Sequence, residues 1–172
     1  MTDVMTYIKQ RRSIRKFLTQ AVEREKLVML LQAAMAAPTA RNSKPWEFVA
    51  ITDPARLEQC RQSHEYGNYN GQAAIVVCGN PQVSNSPATA QKNWMLDCSA
   101  ATENLLIAAA GLGLGAVWCG IWPRAERVAA FSHLFGLPSS SIPLCLVWVG
   151  YPDEIKESRT QYDEERVHWQ HY

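Results

Sequence analysis

Zinc-ligand and dithiol spacings are missing from this sequence: no CxxC, HxxxH or HExxH occurs. Local metal sites and thioredoxin-type redox pairs are therefore not expected. A GxSxG elbow and a Walker loop are absent too, which removes hydrolase nucleophiles and glycine-rich phosphate cradles from consideration. Charge of one sign is scarce, since 17 Lys and Arg against 16 Asp and Glu leave only +1. No whole-molecule field draws in nucleic acid or anionic lipid, so any basic site must be local. Cysteine is sparse and odd in number: Cys60, Cys78, Cys98, Cys119 and Cys145 lie far apart. Three of them sit in apolar segments, where cysteine behaves as a small hydrophobe. The N-terminus has no apolar leader run, and a reducing cytoplasm is the expected setting.

Long hydrophobic runs are nearly absent as well. Leu105 to Trp122 is eighteen residues without a charge and contains Gly111 and Gly115 at GxxxG spacing, which reaches the lower bound for a membrane span. The run is broken by Gly111, Gly113 and Gly115, and its composition turns there from Leu and Ala to Val, Trp, Cys and Ile. A buried helix followed by a buried strand accounts for that switch, and no membrane association is expected.

What is present is a chain of 172 residues, 47% hydrophobic and 19% charged, too apolar for disorder and long enough for one self-sufficient domain over 1–172. Asp3 is the expected N-cap of a short amphipathic helix carrying Val4, Met5 and Ile8 into a basic cluster at Arg11. From Glu23 a second helix carries Leu27, Leu30, Leu31 and Ala34 on one stripe until Pro38 stops it. Residues 38 to 45 have turn chemistry, and Trp46 to Ile51 reads as a strand. Thr52-Asp53-Pro54 starts a helix. His64 to Gly71 reads as a mobile polar loop, Ala73 to Cys78 as a strand and Gly79 to Thr89 as a loop. The longest helix places Trp94, Asp97, Ala101, Leu105 and Ala108 on one face. A strand over 116–121, a helix over 124–134 and a strand over 143–149 follow, and then a charged tail. Four short strands that neither alternate with the helices nor pair as hairpins predict an α+β sandwich.

Two motifs carry possible chemistry. GLGLGA at Gly111 to Ala116 formally fits the dinucleotide fingerprint, but here a helix hands over to a strand, the reverse of the order that aims helix amides at a pyrophosphate. Its reading is a helix C-cap with tight packing. RRSIRK, residues 11 to 16, sets three arginines and a hydroxyl within five residues. It reads either as a solvated charged face or, if extended, as Arg11, Ser13 and Arg15 facing one side as a phosphate site. Asp97, Cys98 and Glu103 are assigned to helix packing and local hydrogen bonds, and any chemistry is expected from a bound cofactor.

Three segments stand in a telling order: Arg11-Arg12-Ser13-Ile14-Arg15, Ala37 to Trp46 (APTARNSKPW), and Gly113 to Gly120 (GLGAVWCG). Together with DCSAATENLLIAA and the tail YDEERVHW, they resemble the short members of the FMN-dependent nitroreductase family from about Tyr7 to Trp169. The resemblance implies an α+β three-layer sandwich, with a central mixed or antiparallel sheet flanked by helices, in a homodimer binding two FMN at its interface. By that likeness Arg11, Arg12, Ser13 and Arg15, joined by Arg159, hold the FMN phosphate and ribityl chain. Pro38, Thr39, Ala40 and Asn42 reach the flavin from the partner subunit. Trp118, Cys119 and Gly120 lie beside the isoalloxazine ring, where a backbone amide faces N5. The implied reaction is ping-pong: NADH or NADPH gives hydride to N5, and a nitroaromatic, quinone or related small acceptor then takes two electrons. Same-fold dehalogenation or flavin breakdown, and a non-catalytic FMN carrier, are the alternatives. No side chain is assigned as acid or base. Lys44 stands where the family usually has Gln, and Glu157 where it often has Lys, with Lys156 as the neighbouring substitute.

Overall fold

The computed structural model describes residues 4–172, so the N-cap expected at Asp3 lies outside the described residues. In chain order the elements are α1 (Val4–Gln10), α2 (Arg24–Met35), β1 (Trp46–Ile51), α3 (Pro54–Gln62), β2 (Ala73–Gly79), α4 (Pro87–Gly111), β3 (Gly115–Gly120), α5 (Ala125–Phe135) and β4 (Ile142–Gly150). The four strands form one sheet in the order β1-β2-β4-β3, every neighbouring pair antiparallel. Of the two sheet types expected, the antiparallel one is found.

The order follows from composition. β2 (AAIVVCG) is buried along its whole length and β4 (IPLCLVWVG) nearly so, and strands without a polar face must be covered on both sides. Period-two alternation then divides the core. Ala73, Ile75 and Val77 face Leu27, Leu30 and Ala34 of α2 and Cys98, Ala101 and Leu105 of α4. Ala74, Val76 and Cys78 face the opposite layer with Leu57 and Cys60 of α3 and Phe131 of α5. Each fully buried Val, Leu or Phe contributes about 1.5–3 kcal/mol to such layers.

Two irregularities shape the sheet edge. The β2–β4 register shifts between Val77 and Cys78, beside Pro143, which has no N–H to donate. The extra residue there is Leu144, whose carbonyl accepts from both Ile121 and Trp122 N–H at 3.0 Å and so fixes the exit from β3. The outer edge of β3 is met by the basic segment through a parallel bridge from Ser13 to Ala116, and Phe17 makes an antiparallel bridge to Pro152 just beyond β4.

The GLGLGA stretch is the helix end that its composition predicts. Gly113 adopts φ 72°, and Leu114 N–H closes on the Ala109 carbonyl at 2.8 Å. At Gly115 a Cβ would come within 2.7 Å of Ile14, so the following glycine serves close packing. Among the described residues no helix is long and apolar enough to cross a membrane. Helix α4 begins at Pro87, inside the stretch read as loop, because proline is accommodated in a first helical turn whose N–H groups lack partners anyway.

Candidate functional site

The basic segment is held extended by backbone pairing on both sides. Ile14 N–H donates to Ala116 at 3.0 Å, Leu18 N–H to Tyr151 at 2.9 Å, and Asp153 N–H to Lys16 at 2.9 Å. Asn70 completes the frame by accepting from Phe17 N–H at 3.1 Å and donating to Phe17 O at 2.7 Å. Ile14 and Phe17 are buried, which anchors the strand-like segment and leaves its cations at the surface.

Those cations do not all meet. Arg11, Arg12 and Lys156 line a cleft of about 240 Å³ floored by Ile14, Leu114 and Ala116, while Arg11 also lines an adjoining depression with Lys9 and Arg159. Arg11 Nε pairs with Glu103 at 3.1 Å, Arg12 donates to the Glu157 carbonyl, and Lys156 Nζ donates to Ser13 O at 2.6 Å. Arg15 does not line this cleft: its Nη1 reaches the same Ser13 carbonyl at 3.5 Å, while its Nε donates to the Tyr69 hydroxyl at 3.2 Å, with the guanidinium over the Tyr69 ring. Arg11 and Arg15 thus face different neighbours. Glu154 accepts from Arg15 N–H at 2.5 Å and pairs with Lys156 at 3.2 Å. The Arg15 N–H, aided by Lys156, holds the Glu154 carboxyl below its ordinary range.

The Pro38–Asn42 turn is organised by a residue that sequence reasoning assigned to core packing. Asp97 of α4 is buried, and its carboxylate accepts from Ala40 N–H at 2.9 Å and Ser43 Oγ at 3.0 Å. Thr39 Oγ1 accepts from Lys44 N–H at 3.1 Å. Arg41, Asn42 and Lys44 all have positive φ, 53°, 55° and 49°, a sparsely populated state that persists only where surrounding bonds impose it. The signal for this role was available: a carboxylate on the apolar face of a helix must find partners. Among the described residues no hydrogen bond or ion pair joins this turn to residues 11–15.

At the end of β3, Trp118 is half-buried, Cys119 buried and Gly120 exposed. Burial pushes the Cys119 thiol up to about 12, with Arg15 and Arg127 opposing, so it remains a thiol at neutral pH. The Gly120 carbonyl accepts from His64 Nε2 at 3.0 Å and from Arg127 at 3.1 Å. His64 opens the stretch read as a mobile polar loop, yet it is only 3% exposed. That loop is tied down at several points, since Trp148 Nε1 donates to Gly67 O at 2.5 Å and Arg61 Nε to Tyr69 O at 3.0 Å. His64, Tyr69 and Asn70 are site-shaping residues that the sequence reading did not single out. No group of three or more His, Cys, Asp or Glu placed to hold a metal occurs among the described residues. The arrangement offers cationic donors to an anion beside the outer edge of β3.

The Nitroreductase family profile matches residues 8–77 and 69–151. A protein of Archaeoglobus fulgidus, provisionally named NADH dehydrogenase/NAD(P)H nitroreductase, is 38% identical over 98% of this chain and 98% of its own length. The crystal structure of a Bacteroides thetaiotaomicron protein with the same provisional name superposes with a TM-score of 0.90 at 35% identity, covering 100% of this chain and 99% of that one. An FMN-dependent nitroreductase of Clostridium difficile superposes with a TM-score of 0.87 at 28% identity over 98% of this chain and 99% of its own. By profile, sequence and fold alike, this chain belongs to the nitroreductase family.

Proposed function

We propose that this protein is an FMN-dependent NAD(P)H oxidoreductase acting as a homodimer on a small electron acceptor. The observation that carries the reading is the gathering of Arg11, Arg12 and Lys156 on one cleft, with Arg159 beside Arg11, where the basic segment meets the outer edge of β3. A mononucleotide phosphate fits that donor set, since each charge-assisted hydrogen bond contributes about 1.5–3 kcal/mol. A relative of the same fold is FMN-dependent, and the Archaeoglobus relative's name supports NADH or NADPH as reductant. When bound, FMN supplies the redox chemistry, accepting a hydride from the nicotinamide and passing two electrons to a nitroaromatic, quinone or related acceptor.

The chain's own residues bind and orient. Arg11, Arg12, Ser13 and Arg15 serve the phosphate and ribityl end, joined by Lys156 and Arg159. Trp118, Cys119 and Gly120 border the ring. Pro38, Thr39, Ala40 and Asn42 act on the partner's flavin, which suits a turn that Asp97 and Thr39 stiffen from within its own chain. The dimer is supported by apolar side chains left in solvent on several elements, including Val4, Ile8, Val28, Met29, Leu96 and Trp169. A cytoplasmic setting is supported by five cysteines that are all free and buried.

Purified protein should be yellow, and anaerobic NADH or NADPH should bleach it. A yellow protein that neither nucleotide bleaches would indicate a carrier. A colourless protein that refuses added FMN would overturn the flavin reading.

A further inference from the structure

The residue at the end of β3 is locked in an unusual way. Ile14 N–H bonds the Ala116 carbonyl on one side of β3, while Ile121 N–H bonds Leu144 on the other. By antiparallel parity the backbone groups of residues 116, 118 and 120 face away from β4, and those of 119 and 121 face toward it. The outward Gly120 carbonyl takes two donors, His64 Nε2 at 3.0 Å and Arg127 at 3.1 Å, which uses both of its lone pairs. A carbonyl only accepts, so neutral His64 carries its proton on Nε2. The peptide after Gly120 is therefore held from both ends, and the peptide before it is held by β4. Glycine is otherwise the residue freest to rotate.

Nothing in the fold asks for glycine here. Its φ is not in the left-handed region, and an added Cβ would meet nothing nearer than Trp122 O at 3.9 Å. Gly79 and Gly115 differ, since a Cβ there would press to 2.2 Å of Trp94 or 2.7 Å of Ile14. Gly120 is exposed, so a bare, immobilised backbone with an outward N–H stands at the surface.

The geometry points to His64 and Arg127 as positioning residues that lock the Gly120 peptide, so that its N–H and bare Cα form a preset landing face for the flavin ring; this rests on the flavin reading above. Gly120 touches the ring, whereas His64 and Arg127 act through it. The two side chains come from one layer of the fold, His64 just after α3 and Arg127 from α5, whose Phe131 ring meets the His64 ring edge to face with centroids 6.5 Å apart.

The test is a pair of titrations, with FMN and with riboflavin, which has the same ring but no phosphate. The proteins compared are the wild type, Arg127→Met, Arg127→Lys, His64→Gln and Gly120→Ala. Arg127→Met and Gly120→Ala should lose FMN and riboflavin by the same factor, about tenfold. The visible band of the bound flavin should move toward that of free flavin, and Arg127→Lys should restore it. Without flavin, Gly120→Ala should melt with the wild type, because its methyl enters open space. These two variants, at an exposed glycine and a half-buried arginine, decide the outcome even if His64→Gln fails to fold. Binding of both flavins within about twofold of wild type, with an unchanged band, would overturn the proposal, as would an Arg127→Met variant that loses FMN alone. Wild-type protein that takes up neither flavin would overturn the flavin reading and this inference with it, whereas wild-type uptake with unaffected variants overturns this inference only.

Discussion

Arg11 divides its charge between Glu103 and the cleft mouth, so its replacement separates ligand binding from folding. Arg11→Ala should weaken FMN by about tenfold or more, the equivalent of one charge-assisted hydrogen bond. Its half-exposed ion pair is worth at most about 1 kcal/mol to the fold. Isothermal titration beside a melting curve of the flavin-free protein checks both. Cys119 tests the local field: with its thiol pushed up to about 12 by burial, alkylation by iodoacetamide at neutral pH should be far slower than that of a free cysteine. His64 gives a pH signature. Burial lowers its pKa from 6.5, with Arg127 and Arg124 adding to the shift and the Gly120 carbonyl opposing it. The folded protein therefore binds this proton less readily than the unfolded chain. Its contribution to stability is intact above 6.5, declines as pH falls below that value, and is lost below the depressed folded pKa. His64→Gln should flatten that part of a melting-temperature profile. Three of these residues were legible to different degrees. Arg11 stands in a motif, Cys119 in an apolar strand, and His64 in a polar stretch that gives no hint of burial.

Two loops and a helix set the site at the next scale. The 38–44 turn owes its left-handed residues to Asp97, and Asp97→Ala would orphan the Ala40 N–H and the Ser43 hydroxyl. Each buried orphan costs about 1–3 kcal/mol, so the melting temperature should fall by several degrees, roughly 2–4 °C per kcal/mol at this size. Calorimetry on the flavin-free protein checks this. The strands were readable because their composition alone fixes them: β2 and β4 are apolar throughout and must be central. The 64–71 loop was not readable in the same way. Its anchors lie 53, 56 and 81 residues away at Phe17, Gly120 and Trp148, and no local pattern encodes such pairings. The start of α4 was misplaced for a related reason, since Pro87 marks a loop or a first helical turn equally well.

At the scale of the whole molecule, several apolar side chains stand in solvent. Helix α1 buries no side chain, and Ile155, Tyr162, Trp169 and Tyr172 of the tail stand in solvent. A second copy covering these faces should appear in light scattering as a species of twice 19.3 kDa that persists on dilution to the micromolar range. A monomer at that concentration would contradict the dimer. The family motifs were legible because they are contiguous. Their cooperation across two subunits came from the resemblance alone, and among the described residues the 38–42 turn makes no hydrogen bond or ion pair to the basic segment of its own chain.

The most direct measurement is a crystal structure of the protein grown with excess FMN. The account predicts one flavin per chain between two subunits, its phosphate within hydrogen-bond distance of Arg11 and its neighbours, and its ring edge against Gly120 N–H. Arginines of residues 11 to 15 turned to solvent, with no flavin bound between two chains, would contradict it.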